Sequence, residues 1–486
     1  MRKISIAILL TLFFYTISFA QQKNTNQIIK RIETYITELE KVGFSGTVLI
    51  ELDGKKVISK GYGYRNLELK ERNTPNTIFG IGSLTKQFTS SAILKLEMQG
   101  KLTTSDTITK YFQNVPGDKS TITIHDLLRH QSGLPSNLGG DYDSISETDF
   151  LDTLMKLSLR SETGTNFSYS NIGYSLLAII IEKVSGETYE QYLYENLWKP
   201  AGMEKTGYSR PKFDDDLIAI GYGKNNTVWG KPTRKNWNGN EPYLNLKGNG
   251  GILSTTEDLY KWNKALMTDS ILSKEAKHKL YHPKLRPNEE NDSYYAYGWD
   301  VHKTARNTFQ VWHNGSNNIF YADFMRFIDE KTTLIFMSNK SNQDLDRLNF
   351  EVAKIIFEKN YKPIIPIADN ETNQIFSQEI IETILSNGLE KATIKYKSRP
   401  TKTDVIENIL NAKGYELLSQ NKFDEAISIF TMNTIAYPKS YNAFDSLGEA
   451  YMNKGEKVSA IKNYEKSLQL DPTNGNAEDM IKKLKQ

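Results

Sequence analysis

The chain has 486 residues, of which 38% are hydrophobic, 11% aromatic and 24% charged, a composition that excludes a mostly disordered protein and leaves room for more than one folded core. Its formal charge of +3 falls by the two charges of Arg2 and Lys3 to +1 once the leader described next is removed, which gives no electrostatic case for nucleic-acid binding. It has no cysteine, so disulfides, thiol nucleophiles, thiolate metal sites and a lipid-modified cysteine are all excluded.

Arg2-Lys3, an apolar run from Ile4 through Phe19, and the small-x-small triplet Ser18-Phe19-Ala20 predict an export signal over residues 1–20. The mature chain then begins at Gln21, in the periplasm or outside the cell. The run is shorter than the ~20 residues of a comfortable span, and no second long apolar run follows, so no stable membrane span is expected after cleavage near Ala20. Next, Thr47-Val48-Leu49-Ile50 and Val57-Ile58 flank Asp53-Gly54 and predict a β-hairpin with a two-residue turn. Mixed helix and strand patterns, including the strand-like Thr332-Thr333-Leu334-Ile335-Phe336-Met337, continue to Tyr361 and define a first domain over 21–361.

Pro363 and Pro366 punctuate a linker over 362–373, and from Gln374 to the end amphipathic helical patterns take over. An offset of 34 residues aligns Gly414 with Gly448, Ala426 with Ala460, Phe430 with Tyr464 and Pro438 with Pro472. That period resembles tetratricopeptide repeats and predicts an all-α domain over 374–486, with clear repeats at about 404–438 and 441–472. A third or degenerate unit is expected over Gln374 to Ser398, and a terminal helix over Asn476 to Lys485.

Ser83-Leu84-Thr85-Lys86 is a Ser-x-x-Lys motif, a pattern that recurs at Ser209, Ser419 and Ser459. Placement distinguishes the first copy. Phe79-Gly80-Ile81-Gly82 precedes it and a periodic stretch through Phe88, Ala92 and Leu96 follows, so Ser83 is expected at a helix N-terminus, where N–H groups favour developing negative charge. Lys86 lies one turn on along the same face; burial against other cations would make it the neutral amine that takes the serine proton. Tyr169-Ser170-Asn171 precedes the helical run Leu176-Leu177-Ala178-Ile179, so a loop is expected to present Tyr169 and Asn171 to a cleft. There the phenol would pass a proton to the leaving group and then activate water, while Asn171 would orient either the lysine or the substrate amide.

His313-Asn314-Gly315 follows the strand-like Phe309-Gln310-Val311-Trp312. Gly315 would let substrate backbone lie against the strand. The N–H of Ser316 would join that of Ser83 as an oxyanion hole, and His313 would offer a donor or a positive charge to a carboxylate or leaving group. His125 and His130, five apart, read as structural, and neither a Gly-x-Ser-x-Gly elbow nor a His-Glu-x-x-His zinc pair is present.

These elements, in this order, resemble the serine β-lactamase, DD-peptidase and related esterase superfamily, particularly its class C-like branch, over about Gln27 to Tyr361. Leu127-Leu128-Arg129-His130-Gln131-Ser132-Gly133-Leu134-Pro135, the stretch Gly250 to Leu259, and Tyr297-Gly298-Trp299 look like the same branch. The resemblance implies an α+β fold of the β-lactamase/transpeptidase type: an antiparallel sheet flanked by helices beside a helical subdomain, with the cleft between them. It also implies no cofactor, no metal, and hydrolysis of an amide or ester through an acyl-enzyme on Ser83.

Efficient β-lactamases of this branch usually carry Lys-Thr-Gly where this chain has His-Asn-Gly, which ranks a D-amino-acid peptidase (DD-carboxypeptidase-like) or esterase above a β-lactamase. The partner is then a small-molecule or peptide substrate, chosen by cleft loops such as Asn137 to Asp149 and Tyr208 to Leu244. A reading of another class is an inactive scaffold whose repeats bind an envelope protein.

Overall fold

The computed structural model describes residues 25–223, 226–282, 293–340, 348–365, 371–400, 403–472 and 474–485. The export signal expected over 1–20, and part of the 362–373 linker, lie outside the described residues. Two compact units divide the chain, one of residues up to Glu40 with Phe44–Ile364, the other of Ile365–Gln486 with Lys41–Gly43.

The first unit is organised by a seven-stranded antiparallel sheet. Its strands are β1 (Gly46–Leu52), β2 (Lys55–Tyr62), β3 (Ser293–Tyr295), β4 (Asp300–Lys303), β5 (Phe309–Ser316), β6 (Tyr321–Phe327) and β7 (Thr332–Ser338), in the order β2-β1-β7-β6-β5-β4-β3. β1 and β2 form the expected hairpin, with Asp53 at φ 48° and Gly54 at φ 74°, the two positive angles that a turn matched to strand twist requires.

Alternation along the strands assigns the two faces. Arg326 Nε donates to Asn263 Oδ1 at 2.7 Å, on the helix α1 (Thr256–Leu266). The next residue, Phe327, points the other way and stacks on Phe357 of α2 (Leu348–Phe357) at 4.7 Å between ring centroids. Helices therefore cover both faces, which is why β1, β6 and β7 are buried at every residue. The register Arg326↔Val311 puts Val311, His313 and Gly315 on the α1 face, together with Leu49, Phe324, Ile335 and Met337 of the main core.

That core also takes in the helix Thr85–Met98, whose first ten residues are all buried. A helix enclosed on all sides has no need of an amphipathic stripe. Among the described residues no helix is long and apolar enough to cross a membrane.

The second unit is all helical, running through Glu371–Asn387, Leu389–Lys397, Glu407–Ser419, Phe423–Ala436, Tyr441–Lys454, Lys457–Leu470 and Gly475–Lys485. The repeat seen in the sequence is a packing repeat. A Cβ on Gly414 would come within 2.4 Å of the Phe430 ring, and one on Gly448 within 3.0 Å of the Tyr464 ring. Each glycine lets an aromatic of the following helix pack against its backbone, which offsets the ~1 kcal/mol that a mid-helix glycine costs relative to alanine. The pair Glu371–Asn387 and Leu389–Lys397 shares the core of the first repeat through Ile380, Ile384, Ala392 and Tyr396.

Candidate active site

Ser83 sits where a short strand turns into the central helix. Phe79–Gly80 pairs with Leu253–Ser254, Ile81 N–H donates to Ile252 O at 2.9 Å, and a 3-10 turn over Gly82–Leu84 leads into the helix at Thr85. The turn is pressed against β5: a Cβ on Gly315 would lie 2.0 Å from Ile81 O and 2.6 Å from Ser83 N, and one on Gly82, at φ +50°, would lie 2.6 Å from Ser316 N. Gly315 thus makes room for the serine's own backbone. Asn317 N–H donates to Phe320 O, so by antiparallel alternation the Ser316–Tyr321 pair directs the Ser316 N–H away from β6. The backbones of Ser83 and Ser316 therefore lie close to one another, and both residues line the cleft.

Lys86 is 0% exposed, and its Nζ lies 3.0 Å from Ser83 Oγ and 2.8 Å from the carbonyl oxygen of Asn249, to which it donates. Among the described residues no carboxylate pairs with it. Burial holds its amine well below the usual lysine range, while the charge of Asp141 pulls weakly the other way. Among the described residues its neighbours include the rings of Tyr169 and Tyr174, at 4.8 and 5.6 Å from the ammonium to the centroids, in place of the crowd of cations expected. Desolvation does the work that charge repulsion was expected to do.

Burial raises the Tyr169 phenol far above the ordinary tyrosine value, with the nearby Ser83 side chain pulling the other way, so the proton stays on oxygen at neutral pH. His130 fixes the loop that carries it. The His130 carbonyl accepts from Ser168 N–H at 2.7 Å, its Nδ1 accepts from Ser170 N–H at 3.0 Å, and its ring lies 4.1 Å from that of Tyr169. Ser170 then caps the helix Asn171–Ser185, its hydroxyl accepting from Gly173 N–H. Of the two roles weighed for Asn171, orienting the lysine falls instead to Asn249. Asn171 Nδ2 donates to Asn137 Oδ1 at 2.8 Å, and its own Oδ1 is buried without a partner beside the cleft.

His313 does not carry the charge expected of it. It is 3% exposed, and burial together with the nearby Lys86 pulls its imidazole down to about 3. Its Nδ1 lies 2.5 Å from Asn314 O, which can only accept, so Nδ1 holds the proton and Nε2 accepts from the Tyr295 hydroxyl at 3.0 Å. Neutral and engaged at both nitrogens, it buttresses the wall behind Lys86.

The cleft is bounded by Ser83, Asn171 and Ser316, by Asp141 and Tyr142 of one expected loop, and by Pro232 and Trp237 of the other. Asn249, Tyr295, His130 and Asp141 were missed as site residues. Asn249 immediately precedes the Gly250 stretch and His130 lies within the Leu127–Pro135 segment, so position inside those family-like stretches was the available signal.

The sequence matches the β-lactamase family over residues 32–356 and the tetratricopeptide repeat family over 441–474. Penicillin-binding protein 4* of Bacillus subtilis is 32% identical over 326 residues, covering 64% of this chain and 72% of that protein. The octameric penicillin-binding protein homologue from Pyrococcus abyssi is 27% identical, covers 73% of this chain and 82% of its own, and superposes with a TM-score of 0.58. A class C β-lactamase, 20% identical with 70% and 98% covered, shares the fold with a TM-score of 0.59. An antiparallel sheet, a Ser-x-x-Lys pair whose lysine is buried and a match over two-thirds of its length place this chain in the β-lactamase family of serine hydrolases, with a tetratricopeptide repeat behind the family domain.

Proposed function

We propose that the chain is an exported serine hydrolase that forms an acyl-enzyme on Ser83 with amide or ester substrates, of the D-amino-acid peptidase (DD-carboxypeptidase-like) or esterase kind. The observation that carries this reading is a wholly buried lysine amine 3.0 Å from the serine hydroxyl that, among the described residues, no carboxylate pairs with. Neutral Lys86 takes the Ser83 proton as Oγ attacks the carbonyl carbon. The developing oxyanion rests on the N–H groups of Ser83 and Ser316. Tyr169, still protonated, delivers a proton to the leaving group and is reprotonated from Lys86; water then releases the acyl group along the reverse path.

A neutral His313 leaves the third element without the fixed cation of Lys-Thr-Gly, which supports ranking peptidase or esterase above β-lactamase. Export rests on the Arg2-Lys3, Ile4–Phe19 and Ser18-Phe19-Ala20 pattern. The repeat unit is proposed to bind a protein or peptide, as stacked helix pairs commonly do.

The test is turnover of p-nitrophenyl acetate, D-alanine p-nitroanilide and nitrocefin by the mature chain and by Ser83→Ala. Ester or anilide hydrolysis that disappears in Ser83→Ala, with nitrocefin slow, supports the proposal. Rapid nitrocefin turnover would make the chain a β-lactamase, and no turnover at all by folded protein would favour the scaffold reading.

A further inference from the structure

Apart from Lys86 behind Ser83, the side chains lining the cleft offer substrates no cation. None of its lining side chains is Lys, Arg or His, and the one carboxylate among them is Asp141. Among the described residues no donor hydrogen-bonds to that carboxylate and no ammonium or guanidinium lies within ion-pair distance of it, although it is half-buried. Burial of an unpaired carboxylate is unfavourable, so a cation placed there would be held firmly.

The loop around Asp141 is built. Gly140 N–H donates to Asp143 Oδ2 at 2.7 Å and Asp143 N–H returns to Gly140 O at 3.0 Å, closing a tight turn. Asn236 Nδ2 donates to Tyr142 O at 3.1 Å and to Ser144 Oγ at 2.9 Å, tying this loop to the second cleft loop. Tyr142 and Asn317, the residue after Ser316, line the same cleft. The carboxylate is therefore held at the cleft by its neighbours on both sides. Asn171 Oδ1, buried and unpartnered in the same cleft, is a second acceptor suited to a substrate amide N–H.

We infer that Asp141 selects substrates carrying a protonated primary amine near the scissile carbonyl, namely amides or esters of amino acids, or short peptides, whose amino group is free. This rests on the acyl-enzyme reading above and narrows it to aminopeptidase, amidase and esterase substrates, away from the carboxypeptidase type: the amino end is what the cleft reads, and no lining cation reads a carboxylate. Acetylating the amine removes the charge and leaves Asp141 buried and unpaired.

The experiment compares p-nitroanilides and methyl esters of D- and L-alanine, each with a free and with an acetylated amine, on the mature chain and on Asp141→Asn and Asp141→Lys. Labelling of Ser83 by a fluorophosphonate is followed in parallel, with thermal melting as the check on folding. The expected result is a kcat/KM at least about 30-fold higher for the free amine in the wild type, the usual scale of a desolvated charge pair. That ratio should fall towards unity in Asp141→Asn and invert in Asp141→Lys. A wild-type ratio near unity, or one that neither folded variant changes, overturns the assignment. Wild type that is labelled at Ser83 yet turns over none of these substrates also overturns it while leaving the acyl-enzyme intact; absence of labelling instead removes the reading beneath it.

Discussion

The Ser-x-x-Lys pattern occurs in both units of the molecule, and the two settings could hardly differ more. In the first unit Lys86 is wholly buried and aimed at Ser83 and the Asn249 carbonyl. In the repeat unit Lys422 and Lys462 are exposed, and the serines three residues before them bond locally, Ser419 donating to Glu416 O at 2.7 Å at a helix end and Ser459 to Glu456 at 3.5 Å in a first turn. The same four-residue spacing yields a reactive pair only where tertiary structure removes water from the amine. A second contrast goes with it: among the described residues, the repeat unit buries no Asp, Glu, Lys, Arg or His, while the first buries several of them around its cleft and sheet. One unit spends its interior on chemistry, the other on shape.

The sharpest way to break this comparison is to remove each lysine. Lys86→Ala should lower the acylation rate of Ser83 by about 10³-fold, whereas Lys422→Ala and Lys462→Ala should leave it unchanged; stopped-flow acylation measures all three. Because burial lowers the Lys86 amine, the wild-type rate should rise with pH through that lowered value and be level before the ordinary lysine range. Tyr169→Phe keeps the ring and removes the proton relay, and should cost about 10²-fold in kcat for amides, with less effect on activated esters that need no protonated leaving group.

Glycines sharpen the contrast further. Gly315→Ala forces a methyl into Ile81 O and Ser83 N and should cost about 10²-fold in acylation by displacing the serine. Gly414→Ala meets only the Phe430 ring and should appear as a loss of about 1–3 kcal/mol in the melting of the repeat unit.

A further difference is expected in pH-dependent stability, which should trace to the first unit. Burial raises Asp300 to about 7, so the folded chain holds a proton that the unfolded chain has lost above the ordinary carboxylate value. Its contribution is present at low pH and disappears as pH rises through 7; Asp300→Asn should therefore raise the melting temperature at pH 8 and change it little at pH 4. His313 has the opposite sign. Its pKa of about 3 means a contribution present above the ordinary histidine value of 6.5 and lost as pH falls towards 3, and His313→Gln should flatten the acid side of the melting curve.

What the sequence made legible was local. Ser83, Lys86 and Tyr169 announce themselves through short spacings and flanking periodicity, the β1–β2 hairpin through Asp53-Gly54, and the repeat packing through Gly414/Phe430 and Gly448/Tyr464. What stayed hidden depends on groups far apart in the chain. The carbonyl that holds Lys86 is 163 residues away, and the occupant of the space above Gly315 is the backbone of Ile81 to Ser83. No spacing rule distinguishes a histidine that presents charge from one whose nitrogens are both taken, as the Tyr295 hydroxyl and the Asn314 carbonyl do at His313. Desolvation of Lys86 is likewise a property of the assembled core, which is why sequence reasoning reached for neighbouring cations to explain a basic amine that burial alone supplies.

The most direct test of the account is intact-mass analysis of the mature chain and of Ser83→Ala after exposure to a fluorophosphonate. The account predicts one adduct per wild-type chain, formed faster as pH rises through the lowered Lys86 value, and none on Ser83→Ala. A folded wild-type chain that stays unlabelled, or an adduct that persists in Ser83→Ala, would contradict it.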